Sequence, residues 1–154
     1  LMQRIFTSAV SHLVLVDPGR CWFKSWQGKE WNDFASADGL QSTREDGWCN
    51  YITVATKAEV LVIEDSQKDA RVSLNPFVIG PPYFRFYAGA PLVGSQGERY
   101  GTLCVADFKP RAFSAEKYAL LVNFAALAVE ELERNKSVDG GGGAGGDVQL
   151  SRHL

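Results

Sequence analysis

The sequence predicts one α+β domain whose sheet is mostly antiparallel. Residues 11–26 and 84–108 each predict two strands joined by a turn, and a further apolar run covers residues 59–65. A long helical pattern follows residue 114. Hairpins pair strands antiparallel, and strands grouped apart from helices are typical of the α+β class. The 154 residues suit one such domain with a tail, and we expect the domain at 1–136 and a Gly-rich linker at 137–154.

The first elements are the end of an amphipathic helix at residues 1–10 and a hairpin. Residues 13–16 form a continuous apolar run, an Asp-Pro-Gly turn follows, and residues 21–26 form a second extended run. A strand that is apolar on both faces is expected at the centre of its sheet. Because alternate side chains of a strand share a face, Trp22 and Trp26 are expected on the same face.

The next segment combines a loop with a short helix. Residues 27–47 are polar and rich in Gly, Asp and Ser, which predicts a long loop. Residues 48–58 predict a short helix that buries Trp48 and Ile52, with Tyr51 as a further candidate.

A buried strand is predicted at the apolar run 59–65. Polar residues from Ser66 onward are typical of a helix start, and a break is expected before Pro76. The Gly-Pro-Pro sequence at residues 80–82 ends this segment.

Residues 84–92, FRFYAGAPL, predict a strand that changes from bulky to small side chains. Alternation places five residues on one face: Phe84, Phe86, Ala88, Ala90 and Leu92. The opposite face carries the others: Arg85, Tyr87, Gly89, Pro91 and Val93. Small residues let another element approach the backbone, so the first face receives either a helix or a ligand, and both interpretations stay open.

Proline cannot donate a ladder hydrogen bond, so a bulge or an edge is expected near Pro91. Glycine-rich residues 94–101 then form the turn into a returning strand at 101–108.

The last element is a helix predicted from Ala115 to about Arg134. Ser114 is the expected N-cap, and Phe113 and Tyr118 occupy the positions of a hydrophobic staple. Two adjacent apolar stripes follow, the first formed by Leu120, Phe124 and Leu127. The second stripe is formed by Leu121, Ala125, Ala128 and Leu132. This double stripe is wider than one sheet contact requires and indicates a partner helix.

Composition excludes several classes of function. A net charge of −2 with scattered lysines and arginines gives no basic surface for nucleic acid. No apolar run reaches the roughly 20 residues of a membrane-spanning helix, and no signal peptide is recognisable. We therefore expect a cytoplasmic protein that binds neither nucleic acid nor membrane.

The residues that could carry chemistry are few, and we expect no catalytic activity and no metal site. The three cysteines, Cys21, Cys49 and Cys104, are an odd number at wide spacing, which favours free thiols in a reducing compartment. The only histidines are His12 and His153. No Ser–His–Asp order, metal-ligand spacing or glycine-rich phosphate loop is present.

Four blocks of the sequence together resemble a known family. They are LVLVDPGRCWFKSWQG, GWCNYIT, the run from LVIEDSQKDAR to YAGAPLV, and GERYGTLCVADF with the helix that follows. In combination they resemble GAF domains, the sensor modules of histidine kinases, diguanylate cyclases and phosphodiesterases, from about residue 5 to residue 135. The resemblance implies a central antiparallel sheet of about six strands, with the first and last helices on one face. It also implies a ligand pocket on the other face under residues 27–80, a homodimer formed by the terminal helices, and a covalently linked output domain.

The known ligand motifs of the family are not found. Bilin-binding relatives attach their chromophore through a cysteine commonly followed by histidine, and residues 71–80 contain no cysteine. The acidic and lysine motif of cyclic-nucleotide-binding relatives is absent, and the cysteine pattern of methionine-sulfoxide-reducing relatives does not match. The ligand or cofactor is therefore unassigned.

Two main hypotheses follow. In the first, the chain is a sensor in which a ligand-sized void lies between the sheet and residues 48–80. Its expected ligand-binding residues are Trp26, Trp48, Cys49, Ile52, Asp65, Phe77, Phe84, Arg85, Phe86 and Tyr87. In the second, the chain is a structural module with a filled pocket that dimerises through Leu121, Ala125, Ala128 and Leu132. A third possibility is thiol redox sensing at Cys49.

Overall fold

The computed structural model describes residues 1–28, 41–54 and 57–139. Six strands form one sheet in the order β3-β2-β1-β6-β5-β4, and every neighbouring pair is antiparallel. The strands are β1 Val10–Val16, β2 Arg20–Gln27, β3 Gln41–Thr43, β4 Leu61–Ile63, β5 Phe86–Val93 and β6 Arg99–Asp107. The helices are α1 Met2–Phe6, α2 Cys49–Val54, α3 Pro76–Ile79 and α4 Ala115–Asp139. This is the predicted α+β fold, with β1 at the predicted central position.

The first hairpin contains a bulge that the sequence analysis missed. The ladder pairs Leu13 with Ser25 and Val14 with Phe23, so Lys24 has no partner residue. An extra residue in one strand reverses its alternation. Trp26 therefore pairs with His12, whereas Trp22 pairs with Leu15 on the opposite face. The prediction that the two tryptophans share a face is wrong.

The segment between the hairpins is more structured than predicted. Gln41–Thr43, inside the predicted loop 27–47, pairs with β2 as an edge strand. Residues 29–40 of that loop lie outside the described residues. Helix α2 is shorter than predicted and buries Ile52, but Tyr51 is 40% exposed, because it lies on the outer side of α2.

Residues 64–85 cross from β4 to β5 without a helix at Ser66. Turns cover residues 66–74, and the buried Ser66 hydroxyl donates to the Phe84 carbonyl over 2.7 Å. This hydrogen bond holds the loop against the chain before β5. The polar side chain at Ser66 is therefore explained without a helix start. Asn75 caps α3 by accepting from the Phe77 amide over 2.9 Å, so the predicted break before Pro76 is confirmed.

Helix α4 packs on the small residues of β5. Phe86, Ala88, Ala90 and Leu92 are fully buried or nearly so in one cluster with Leu121 of α4. Alanine side chains leave the space in which a helix can approach a strand. Of the two interpretations of the tapering face, the helix is the correct one. The expected irregularity near Pro91 also occurs, because the β5–β6 register shifts between residues 92 and 93.

Phe84 does not share the face of Phe86. Strand β5 begins only at Phe86, and the preceding Tyr83 has a positive φ of 59°. Strand alternation therefore does not extend to Phe84, whose ring stacks on Phe108 at 5.6 Å and packs edge-on to Trp48 on the other side of the sheet.

The apolar stripe of α4 that is predicted to form a dimer packs on the sheet of its own domain. The Ser114 hydroxyl accepts from the Lys117 amide over 3.2 Å, which confirms the N-cap. Leu121 and Ala125 are buried against the sheet, and Ala128 and Leu132 pack beside them. These four side chains cover the chain's own sheet because the small residues of β5 face them. Helix α4 also continues to Asp139, so residues 137–139 of the predicted tail are helical, and residues 140–154 lie outside the described residues.

The opposite face of the sheet carries the second cluster. Its members come from β1, β2, β4, β5 and β6 and from the segments that contain α2 and α3. His12 of β1 is also buried on this face, with its ring edge-on to Phe23 at 5.2 Å. None of the helices in the described ranges is long and apolar enough to cross a membrane.

Enlarging Ala88 should destabilise the fold. Ala88 is fully buried under α4, so Ala88→Leu is expected to lower the free energy of unfolding by about 1–3 kcal/mol through overpacking. Ala119→Leu, at an exposed position of α4, is the control and should change it by less than about 0.5 kcal/mol. Urea unfolding of both variants measures the difference, and equal stabilities would contradict the assigned packing.

Acid should destabilise the domain through His12. Burial lowers the pKa of His12 from 6.5 to about 3. Between these values the unfolded chain binds a proton that the folded chain does not, so the free energy of unfolding falls with falling pH by about 1.4 kcal/mol per unit for this group. His12→Gln, which has no titratable ring, should show a shallower dependence between neutral pH and about pH 5.5, above most carboxylate titration. Urea unfolding at a series of pH values tests this, and parallel slopes would contradict it.

Candidate functional site

An interior cavity lies between the sheet and the segments that contain α2 and α3. It is lined by His12, Phe23, Gly47, Trp48, Cys49, Phe77, Phe84, Tyr87, Cys104 and Ala106. Its volume of about 30 Å³ accommodates one or two waters. Within the described ranges, this space under residues 48–80 is much smaller than the ligand-sized void that the sensor hypothesis expects, because aromatic rings fill it.

Five polar groups belong to residues that line the interior cavity. The Cys49 Sγ lies 3.6 Å from the Tyr87 Oη, and the Cys104 Sγ lies 3.8 Å from the His12 Nδ1. The Trp48 Nε1 is buried with no hydrogen-bond partner in the described part of the chain. A buried donor without a partner costs about 1–3 kcal/mol, so this position favours an acceptor.

Gly89 leaves the space that the Tyr87 hydroxyl occupies beside Cys49. A Cβ atom on Gly89 would lie 2.4 Å from the Tyr87 Oη and 2.8 Å from the Ile52 Cδ1. The tyrosine hydroxyl therefore lies directly over the bare backbone of Gly89, which pairs with Cys104 on β6. Only glycine leaves room for this arrangement.

The titratable groups of the interior cavity influence one another. The Cys104 thiol, through its hydrogen bond, lowers the pKa of Cys49 against the opposing effect of burial. The same interaction and burial raise the pKa of Cys104. Burial raises the pKa of Tyr87, and outside the cavity it raises that of Cys21 to about 11. His12 is neutral at physiological pH, because burial lowers its pKa.

The structure brings most of the expected ligand-binding residues together. Trp48, Cys49, Phe77, Phe84 and Tyr87 line the interior cavity. Two more, Ile52 and Trp26, belong to or pack against the same apolar cluster.

Three expected residues lie elsewhere. Phe86 belongs to the cluster under α4, because β5 alternation begins at this residue. Asp65 and Arg85 form an ion pair, with the Asp65 Oδ1 2.9 Å from the Arg85 Nη2, outside the interior cavity. Asp65 also accepts from the Gln67 amide, so this pair fixes the loop after β4.

Five lining residues were missed by the sequence analysis: His12, Phe23, Gly47, Cys104 and Ala106. Strand parity would have found part of this set, because Cys104 and Ala106 alternate on β6 and His12 lies across from Cys104 on β1. No local signal marks Gly47, where a Cβ atom would lie 2.8 Å from the Cys21 Sγ. In the described ranges, no group of three His, Cys, Asp or Glu residues could hold a metal ion.

Related sequences identify the family. The profile of the GAF domain family matches residues 3–132. The chain is 33% identical over 135 residues to the cyclic di-GMP phosphodiesterase PA2567 of Pseudomonas aeruginosa strain PAO1. This alignment covers 87% of the chain but only 21% of that relative, so the chain spans about a fifth of its length.

Solved structures share the fold. The GAF domain of a phosphoenolpyruvate-protein phosphotransferase from Coxiella burnetii aligns with a TM-score of 0.69 at 16% identity, covering 90% of this chain and 80% of that one. A domain assigned to a two-component sensor histidine kinase of Sinorhizobium meliloti gives 0.65 at 15% identity, covering 90% and 88%. The free methionine-R-sulfoxide reductase of Neisseria meningitidis, solved with its substrate, gives 0.68 at 16% identity, covering 89% and 74%. These structures agree with the sequence profile, and the chain belongs to the GAF domain family.

Proposed function

We propose that this GAF domain senses a small molecule at the interior cavity and transmits its binding through α4. GAF domains are sensory or regulatory modules of signalling proteins, and this chain is one of them. We further propose that it belongs to a longer cytoplasmic signalling protein with a covalently linked output domain, and that the domain itself catalyses no reaction. The similarity to part of a phosphodiesterase supports this organisation.

One observation carries the proposal: β5 and β6 have the interior cavity on one face and α4 on the other. On β5, Tyr87 faces the cavity while Ala88 and Ala90 contact the layer of α4. On β6, Cys104 faces the cavity and Val105 faces the helix layer. A ligand that displaces the cavity-facing side chains also moves the backbone of β5 and β6. The helix-facing side chains of the same strands move with it, and closely packed interiors transmit such strain.

The β5–β6 turn offers a second link to α4. The Glu133 Oε1 accepts from the Ser95 amide over 2.7 Å and from the Tyr100 hydroxyl over 3.3 Å. The Lys136 ammonium lies 4.1 Å from the centre of the Tyr100 ring. A change in the hairpin would therefore reach the C-terminal half of α4 directly.

A ligand larger than two waters must move the cover of the interior cavity. That cover is held by the Asn75 side chain, which donates to the Asp46 carbonyl over 2.8 Å, and by Arg99, which donates to the Thr53 carbonyl over 2.8 Å. The first is a neutral hydrogen bond worth about 0.5–1.5 kcal/mol, and the second, from a charged guanidinium, is worth about 1.5–3 kcal/mol. Their modest strength supports an opening of the cover by ligand binding.

The small size of the cavity favours a second candidate, a structural module with a filled pocket. In this case the domain would contribute a rigid support and a dimer contact. Because the predicted stripe covers the sheet, a dimer would use exposed apolar residues of α4, among which Val122 is 42% and Leu127 is 58% exposed. Sedimentation of the chain as a strict monomer would count against this candidate.

A neutral aromatic amide tests the sensing proposal. Benzamide combines a ring with a carbonyl acceptor for the Trp48 indole N–H, and a compound that binds only the folded chain raises its melting temperature. We expect a concentration-dependent rise in thermal-shift measurements on the unmodified chain. Trp48→Phe keeps a ring but removes the donor, so its rise should be smaller.

The control for this experiment is Trp22→Phe, at an exposed position on the other face of the sheet. It should retain the full response to benzamide. An equal response in Trp48→Phe would argue against the donor, and no response of the unmodified chain would favour the filled-pocket candidate.

The link between the hairpin and α4 has its own test. Glu133→Ala removes the acceptor for the Ser95 amide, so amide hydrogen exchange in residues 94–98 should become several-fold faster. Glu130→Ala, at an exposed position one turn earlier, is the control and should leave this exchange unchanged. Unaltered exchange in Glu133→Ala would remove this route of transmission.

A further inference from the structure

Two buried cysteines flank one hydroxyl in the interior cavity. The Cys49 Sγ lies 3.6 Å from the Tyr87 Oη, and the Cys104 thiol, which lines the same cavity, donates to the His12 carbonyl over 3.6 Å. The ladder gives independent support, because the Tyr87 Oη lies over Gly89 and Gly89 pairs directly with Cys104. Both thiols therefore line the interior cavity beside the same phenol, although 55 positions separate them in the sequence.

The space beside these thiols selects a class of reactant by size and charge. A cavity of about 30 Å³ excludes a nucleotide or a metabolite but admits a molecule of two heavy atoms. Its lining contains no Asp, Glu, Lys or Arg side chain, and burial keeps His12 neutral. A small neutral molecule with a reactive O–O bond fits both restrictions.

We propose that Cys49 and Cys104 form a peroxide-reactive dithiol that closes to a disulfide. The Cys49 sulfur attacks one oxygen of hydrogen peroxide, the O–O bond breaks, and the thiol proton leaves with the other oxygen as water. Cys49 is then a sulfenic acid. The Cys104 sulfur attacks the Cys49 sulfur, the S–O bond breaks, and the hydroxyl leaves with the Cys104 proton as a second water. Two thiols are oxidised by two electrons, and one peroxide is reduced.

The surroundings assign the order of the two cysteines. The Tyr87 hydroxyl lies 3.6 Å from the Cys49 Sγ and can donate to it, which favours the thiolate at Cys49, whereas the Cys104 thiol donates to the His12 carbonyl over 3.6 Å, which favours the protonated form. Cys21, the third buried cysteine, does not line the interior cavity. Cys49 is therefore the attacking residue and Cys104 the resolving residue.

The disulfide would join α2 to β6 and hold the cover of the interior cavity against the sheet. This goes beyond the proposed ligand sensing and does not depend on it, because the reaction can be followed without any ligand. The reaction with hydrogen peroxide also requires no more space than the cavity of about 30 Å³ provides. Oxidation would then act on the cavity face of β5 and β6, the two strands whose opposite face packs on α4.

The test is oxidation of the reduced, folded chain with stoichiometric hydrogen peroxide. We expect the loss of two of the three thiols and, in non-reducing peptide mapping by mass spectrometry, a Cys49–Cys104 cross-linked peptide. This experiment uses the unmodified chain, so its outcome does not depend on whether a variant folds. A cross-link that forms only in urea, between chains, or through Cys21 would overturn the proposal.

Three variants assign the roles. Cys104→Ser should accumulate a sulfenic acid at Cys49 that dimedone traps, and Cys49→Ser should consume peroxide at least about tenfold more slowly. Cys21→Ser is the matched control and should form the Cys49–Cys104 disulfide at the rate of the unmodified chain. Near-ultraviolet circular dichroism checks the fold of each variant. Equal peroxide consumption in a folded Cys49→Ser chain would also overturn the proposal.

Discussion

The close packing of α4 on β5 is the constraint on which the rest of the domain depends. Ala88 and Ala90 have side chains of a single methyl group, and both are buried under the helix layer. Larger side chains would hold α4 away from the strand and leave Leu121 without a complete apolar environment. Because α4 covers this face, the functional groups of β5 and β6 are left on the opposite face. The division of the molecule into two clusters follows from this arrangement.

The second face is shaped by a glycine instead of alanines. Gly89 lets the Tyr87 ring fold back over the strand, where its hydroxyl meets Cys49 from α2 and lies beside Cys104. The rings of Trp48 and Phe84 then close the space above them. The resulting cavity has polar groups but little volume. Its chemistry thus suits a small reactant as it stands, and a larger ligand only after the cover moves.

Membership of the GAF family determines the class of function but not the input. The structural relatives include a phosphotransferase domain and a methionine sulfoxide reductase, which share this fold at about the same low identity. A fold with such varied uses assigns no ligand by itself. In this chain the input must be inferred from the interior cavity, where two thiols, a phenol and an indole donor meet.

The sequence by itself determined the elements whose causes are local. The Asp-Pro-Gly turn predicted the first hairpin, Ser114 predicted the start of α4, and the combined motifs predicted the GAF fold with its central antiparallel sheet. Only the tertiary structure determined which side chains lie on the same face of the sheet. One unpaired residue, Lys24, separates Trp22 from Trp26, and a strand that starts at Phe86 leaves Phe84 on the other side. Alternation gives relative faces only while a strand is regular, and which face is filled depends on residues far apart in the chain. The contact between α4 and its own sheet, the volume of the interior cavity and the placement of Cys49 and Cys104 in that cavity all depend on such distant residues.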